Sequence, residues 1–227
     1  MIADNVRRVL DDIGDAAARS GRDPSEIILV GVSKTRAVEE IEQAILAGIE
    51  HLGENRVQEA ASKIPAVRGD AVWHLVGHLQ TNKAKKAADL FDWIDSVDSV
   101  KVADQLEARA KSTGKTIDVL IQVNVSGEGS KSGIDPGETP SLASYVAEKE
   151  ALRLCGLMTI GSLGVSEDVT RAEFARMRAL FDGLRSDPVI GGCMCVLSMG
   201  MSGDYRIAVE AGSTMVRIGT AIFGSRG

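Results

Sequence analysis

The sequence predicts an α/β protein built as one (β/α)8 barrel of the TIM type, with an extra helix in front. Three observations carry that expectation. Eight short apolar segments alternate with amphipathic helical patterns along the chain. Most of these segments are apolar on both faces, as parallel strands covered by helices must be. The length, 227 residues, is close to the roughly 250 that such a barrel takes. A doubly wound open sheet is the alternative arrangement of the same units.

The opening segment, MIADNVRRVLDDIGDAAARS, puts Val6, Val9, Leu10 and Ile13 on one face and lacks an apolar signal core. It reads as an amphipathic helix rather than a leader. The strands are expected at 27–34, 49–55, 72–79, 93–99, 118–125, 152–160, 193–200 and 214–219. After the first come Val38, Ile41 and Ile45 on one helix face. After the second come Val57, Ala60, Ala61 and Ile64, ended by Pro65. Phe174, Met177, Phe181 and Leu184 form the longest stripe. Gly48, Gly114 and Gly212 stand where helix C-caps are expected. The most glycine-rich stretch, SGEGSKSGIDPGE at 126–138, reads as a long loop carrying Lys131, a candidate helper of ligand entry and exit. No linker or repeat divides the chain, so residues 1–227 are expected to form a single domain.

The formal charge is −6, which gives no general attraction to nucleic acid or acidic lipid. No segment is long and apolar enough for a transmembrane helix. Three cysteines, Cys155, Cys193 and Cys195, fit a reducing cytoplasm better than a disulfide framework.

In a barrel of this type the site lies at the C-terminal ends of the strands. Those ends carry Lys34, Glu54, Asn55, His78, Gln80, Asn82, Asn124, Thr159, Ser198, Ser202, Gly219 and Thr220. Lys34 closes the apolar run IILVGVSK. Either it is the first solvated residue after a strand, or it sits at the mouth, where apolar walls would lower its pKa and make it nucleophilic. The loops SMGMSGD and IGTAIFG follow the seventh and eighth strands, the usual phosphate position in these barrels. Small polar residues also simply mark turns. Arg217 lies inside an apolar strand and must pair or face a polar ligand. A lysine, a phosphate cup and an opposing arginine together suggest pyridoxal 5′-phosphate. His74 and His78 lack the further ligands a zinc site needs, so no metal is expected.

The segments VSKT (32–35), GENRVQE (53–59), WHLVGHLQTNK (73–83), IQVNVSGEGSKSG (121–133), GLMTI (156–160), LSMGMSGDY (197–205) and GSTMVRIGTAIFG (212–224) resemble the pyridoxal phosphate homeostasis proteins. These are stand-alone relatives of the alanine racemase N-terminal barrel, of PLP fold type III. The resemblance implies that Lys34 carries the cofactor as a lysine aldimine. It implies that Ser198 or Ser202, Gly219 and Thr220 hold the phosphate, that Arg217 faces the ring nitrogen and that Asn55 lies beside the cofactor. It also implies buffering and delivery of the cofactor inside the cell, with no well-established catalytic activity; a monomer with apo-enzymes as transient acceptors and no catalytic turnover is expected. One departure is Gly161-Ser162-Leu163, where the family has a proline and often a longer loop. The competing classes are a PLP-dependent amino-acid racemase, for which Tyr205 is the candidate second base, and a Schiff-base aldolase.

Overall fold

The computed structural model describes residues 1–128 and 132–225. The eight expected strands close into one all-parallel barrel in chain order: β1 (Ile28–Val32), β2 (His51–Glu54), β3 (Val72–Leu75), β4 (Trp93–Val97), β5 (Ile117–Val123), β6 (Leu152–Thr159), β7 (Val196–Ser198) and β8 (Met215–Ile218). Strand β8 pairs with β1, with Val30 opposite Arg217, so the open-sheet alternative falls. Each observed strand lies within its expected segment, save that β5 begins one residue earlier. The largest difference is at 193–200, where Gly191–Cys193 form a 3-10 turn. Apolar character there runs past the paired residues because Met194 and Met199 are buried without being part of the strand.

The helices are α1 (Ile2–Arg19), α2 (Val38–Leu46), α3 (Val57–Lys63), α4 (Ala84–Leu90), α5 (Val100–Thr113), α6 (Thr139–Ala147), α7 (Glu167–Arg185), α8 (Tyr205–Glu210) and α9 (Thr220–Phe223). Gly48, Gly114 and Gly212 follow α2, α5 and α8 with positive φ, as helix-ending residues do.

Two apolar layers hold the barrel. Val30, Val32, Val76, Leu120, Met158 and Met215 pack in the lumen. Outside the strands, the helices bury their stripes, including Phe174, Met177, Phe181 and Leu184 of α7. Each such side chain contributes about 1.5–3 kcal/mol by leaving water. Helix α1 lies across α2, α8 and α9, burying Val6, Val9 and Ile13. Leu10 was expected on that face but is 47% exposed, because the inward stripe continues instead through Ala16 and Ala17. No described helix is long and apolar enough to cross a membrane.

Candidate functional site

A cavity of about 400 Å³ opens at the C-terminal mouth of the barrel. It brings together Lys34, Asn55, Ser202, Arg217, Gly219 and Thr220, with apolar walls from Val32, Val76, Ile160 and Met201. No carboxylate is among its lining residues, although acids outnumber bases in the chain. Two cations therefore set its potential, which suits an anionic ligand.

Lys34 comes from strand alternation. Val30 and Val32 face the lumen, so the next residue of that parity, Lys34, reaches the cavity while Ser33 turns outward to the helical layer. The turn that follows is unusual: Thr35 has φ 62°, the only non-glycine with positive φ among the described residues. A charged cluster surrounds it. Lys63 Nζ donates to the Ser33 carbonyl at 2.8 Å and to Glu54 Oε1 at 3.0 Å. It also pairs with Glu59 at 2.5 Å. Glu59 Oε1 accepts from the Thr35 amide. Glu54 Oε1 accepts from the Ser33 hydroxyl at 2.7 Å. Glu54, expected at the mouth, is fully buried behind the strands, and burial pushes its carboxyl above the usual range. Further along, Arg36 donates to the Gly224 carbonyl and pairs with Glu40.

Asn55 reaches the wall because β3 exits very close to it. A Cβ on Gly77 would stand 2.3 Å from the Asn55 carbonyl oxygen, so only glycine fits. His78, Gln80 and Lys83 line a neighbouring groove with Arg56, not the cavity; Asn55 borders both. Asn124 donates to the Glu128 carbonyl in the loop after β5. Lys131 lies outside the described residues.

Arg217 is 4% exposed. Its guanidinium donates to Ser198 Oγ and, at 2.7 Å, to the Thr159 carbonyl. Burial pushes it down from its ordinary pKa, while Asp95 and Asp204 oppose that shift through space. Asp95 is fully buried and anchors a chain: its Oδ1 meets His74 Nδ1 at 3.0 Å, and His74 Nε2 meets His51 Nδ1 at 2.9 Å. His74 also stacks on Trp93.

The two serines divide. Ser198 is fully buried beneath Arg217 and is absent from the cavity lining; Ser202 lines the cavity and accepts from the Ala221 amide at 3.3 Å. Tyr205, the candidate second base, is not among the residues lining the cavity. It is buried at the start of α8, and its hydroxyl donates to Asp12 Oδ2 of α1 at 2.5 Å. Burial and that carboxylate push the phenol up to about 12. The departing segment Gly161–Leu163 is fixed by Glu173 of α7, which accepts from the Ser162 amide at 2.8 Å and its hydroxyl at 2.6 Å. That leaves Leu163, 78% exposed, on the cavity rim.

Sequence reasoning missed Lys63, Glu59 and Asp95. The i,i+4 spacing of Glu59 and Lys63 signals a pair, but nothing local shows which backbone the pair grips.

Comparison with known proteins places these features. The model of the alanine racemase N-terminal domain matches residues 19–227. The pyridoxal phosphate homeostasis protein of Escherichia coli (strain K12) is 46% identical over 231 residues, covering 99% of this chain and 97% of that one. The structure of PipY of Synechococcus elongatus PCC7942 with PLP bound has a TM-score of 0.82 and 34% identity, covering 99% of this chain and all (100%) of that one. Alanine racemase of Clostridium difficile 630, at a TM-score of 0.79, 18% identity and coverage of 98% of this chain and 57% of that one, shares the fold.

Proposed function

This chain belongs to the pyridoxal phosphate homeostasis proteins, within the alanine racemase N-terminal domain family, and on that premise we propose that it binds pyridoxal 5′-phosphate at the barrel mouth, buffering the cofactor and delivering it. The observation that carries this reading is the cavity without carboxylates, with a lysine on one wall and hydroxyls and glycines on another.

The residues present fit that group. Ser202, Thr220 and the backbone at Gly219 would hold the phosphate, where small residues let backbone N–H groups approach an anion. Ser198 serves this end indirectly, by receiving Arg217. Val32, Val76 and Ile160 offer apolar surface to an aromatic ring. Arg217 would face the ring nitrogen as a donor that keeps its own proton. Bound there, the cofactor would supply an aldehyde able to condense with the Lys34 amine, its oxygen leaving as water. Asn55 would stand beside it.

Carriage is favoured over racemisation. Two-sided proton transfer needs a second base, and Tyr205 is engaged with Asp12 away from the cavity. An arginine at the ring nitrogen also weakens the ring as an electron sink. The aldolase reading would use the same lysine on a phosphorylated sugar and give no visible chromophore. We extend the proposal to a cytoplasmic monomer that passes cofactor to apo-enzymes and binds no nucleic acid. Its net negative charge supports the last point.

The test is spectroscopic. Protein saturated with pyridoxal phosphate is expected to show a visible band that borohydride bleaches, with the pyridoxyl mass on the peptide containing Lys34. Finding that mass on another lysine, or on none, would refute the assignment.

A further inference from the structure

We propose that Lys63 and Glu59 are positioning residues for Lys34: as a pair they hold the two peptide groups flanking that lysine and so fix the direction in which its amine meets the cofactor. The inference rests on the cofactor reading and deepens it.

The geometry is specific to the lysine. The peptide group before Lys34 offers the Ser33 carbonyl, which Lys63 Nζ contacts at 2.8 Å. The peptide group after it offers the Thr35 N–H, which donates to Glu59 Oε1 at 2.5 Å. The cation and the carboxylate that make these two contacts are bonded to each other and stand one helical turn apart on α3. Lys63 is also tied at 3.0 Å to Glu54, which is fully buried. The Lys63 side chain itself is only 11% exposed, so this is not a solvated surface pair, whose worth is usually slight. The Lys63 contact with Ser33 is partly shielded from water and the Thr35 contact with Glu59 is exposed, so Lys63 is the stronger half of the pair.

The clamp also bears on Thr35. A β-branched residue at φ 62° is in an unfavourable conformation that persists only where its surroundings impose it. Here the Arg36 amide closes the turn onto the Ser33 carbonyl at 3.0 Å, and the Glu59 carboxylate adds its hold on the Thr35 amide. Release of both peptide groups would leave the turn on its own backbone bond alone and loosen the direction in which the Cα–Cβ bond of Lys34 points. Bond formation between the lysine nitrogen and the aldehyde carbon depends steeply on approach distance and angle. Neither Lys63 nor Glu59 lines the cavity, so each acts through Lys34 and not on the ligand.

The experiment separates capture from binding. Apo-protein is mixed with pyridoxal 5′-phosphate to measure the rate of borohydride-trappable attachment. It is titrated separately with pyridoxine 5′-phosphate, whose alcohol cannot condense. For Lys63→Ala, attachment is expected to slow by about tenfold to a hundredfold, with binding of the alcohol unchanged. Glu59→Gln, which keeps an acceptor for Thr35 but loses the charge, is expected to slow attachment less. Lys63→Arg is expected to recover most of the rate. Variants that capture cofactor as fast as the parent, or that lose affinity for both compounds in equal measure, would overturn the positioning role. A parent that binds neither compound would overturn the cofactor reading, and this inference with it.

Discussion

The two walls of the cavity are built in opposite ways. At the exits of β1 and β2, charged side chains grip the backbone: Lys63 and Glu59 hold the Ser33 carbonyl and the Thr35 amide, Arg36 reaches over to Gly224, and Glu54 takes the Ser33 hydroxyl. At the exits of β7 and β8, the cavity is lined by Ser202, Gly203, Gly219 and Thr220, with the Ala221 amide donating to the Ser202 hydroxyl across the two loops. One wall is costly to distort and presents a single amine. The other is made of small groups that can shape themselves around an anion. Covalent chemistry needs a fixed direction, whereas a phosphate needs several donors at once.

That division can be broken by experiment. The largest effect is expected from Lys34→Ala, which should remove the visible band and the borohydride-trapped adduct altogether. Weak non-covalent binding should survive through the β7–β8 wall, and the melting temperature should stay close to the parent's, because a half-buried residue after the strand leaves no core cavity. Lys34→Arg should give the same spectrum as the alanine variant. A trapped adduct persisting in either would end the division of labour.

Next in size is Thr220→Val, which deletes one hydroxyl at the opposite wall. Loss of a hydrogen bond to a charged group costs about 1.5–3 kcal/mol, so cofactor affinity should fall by roughly tenfold to a hundredfold. Equilibrium titration should show the drop while the band, at saturation, keeps its position. Unchanged affinity would move the phosphate elsewhere.

The smallest effect on the cofactor is expected from Tyr205→Phe. No change in the band or in affinity should follow, and parent and variant should both fail to exchange the α-proton of L-alanine in deuterated water. Stability should fall instead, by about 1 kcal/mol for the lost bond to Asp12. Its pH dependence has a defined sign. Although burial works the other way, hydrogen bonds from Tyr205 and Arg206 hold the Asp12 carboxyl below its ordinary range. A depressed carboxylate contributes stability above its unfolded value, near about 4, and that contribution fades as pH falls through the folded value. Denaturant curves for parent and variant should therefore converge in acid. A gap that held constant with pH, or turnover of alanine in the parent, would refute the structural role given to Tyr205.

The barrel was legible because parallel strands are covered on both faces, so their apolar runs stand out against helical periodicity. Strand ends were not, since Val76 and Leu79 stay buried beyond the last paired residue of β3 and apolarity alone does not mark where pairing stops. Arg217 was legible as a cation inside an apolar run. Lys34 was legible as a candidate but not as an oriented one, because its orientation depends on Lys63 and Glu59, whose contacts with Ser33 and Thr35 join residues more than twenty positions apart. Tyr205 shows the converse case. Proximity in sequence to the phosphate loop made it the candidate base of the racemase reading, but its place at a helix start pointed to packing, and helix α8 turns the ring toward α1.

The pairing of Val30 with Arg217 has a consequence for the order of events during folding. It joins strands from nearly opposite ends of the chain, the strand pairing with the greatest loop-closure entropy to overcome. Lys34 leaves one of these strands, and Arg217, Gly219 and Thr220 belong to the other or follow it directly. The cavity therefore comes into being only when this seam shuts. A ligand that spans it binds the shut barrel and not the open one, so it should act as a latch, slowing hydrogen exchange along β1 and β8 more than along β4 and β5.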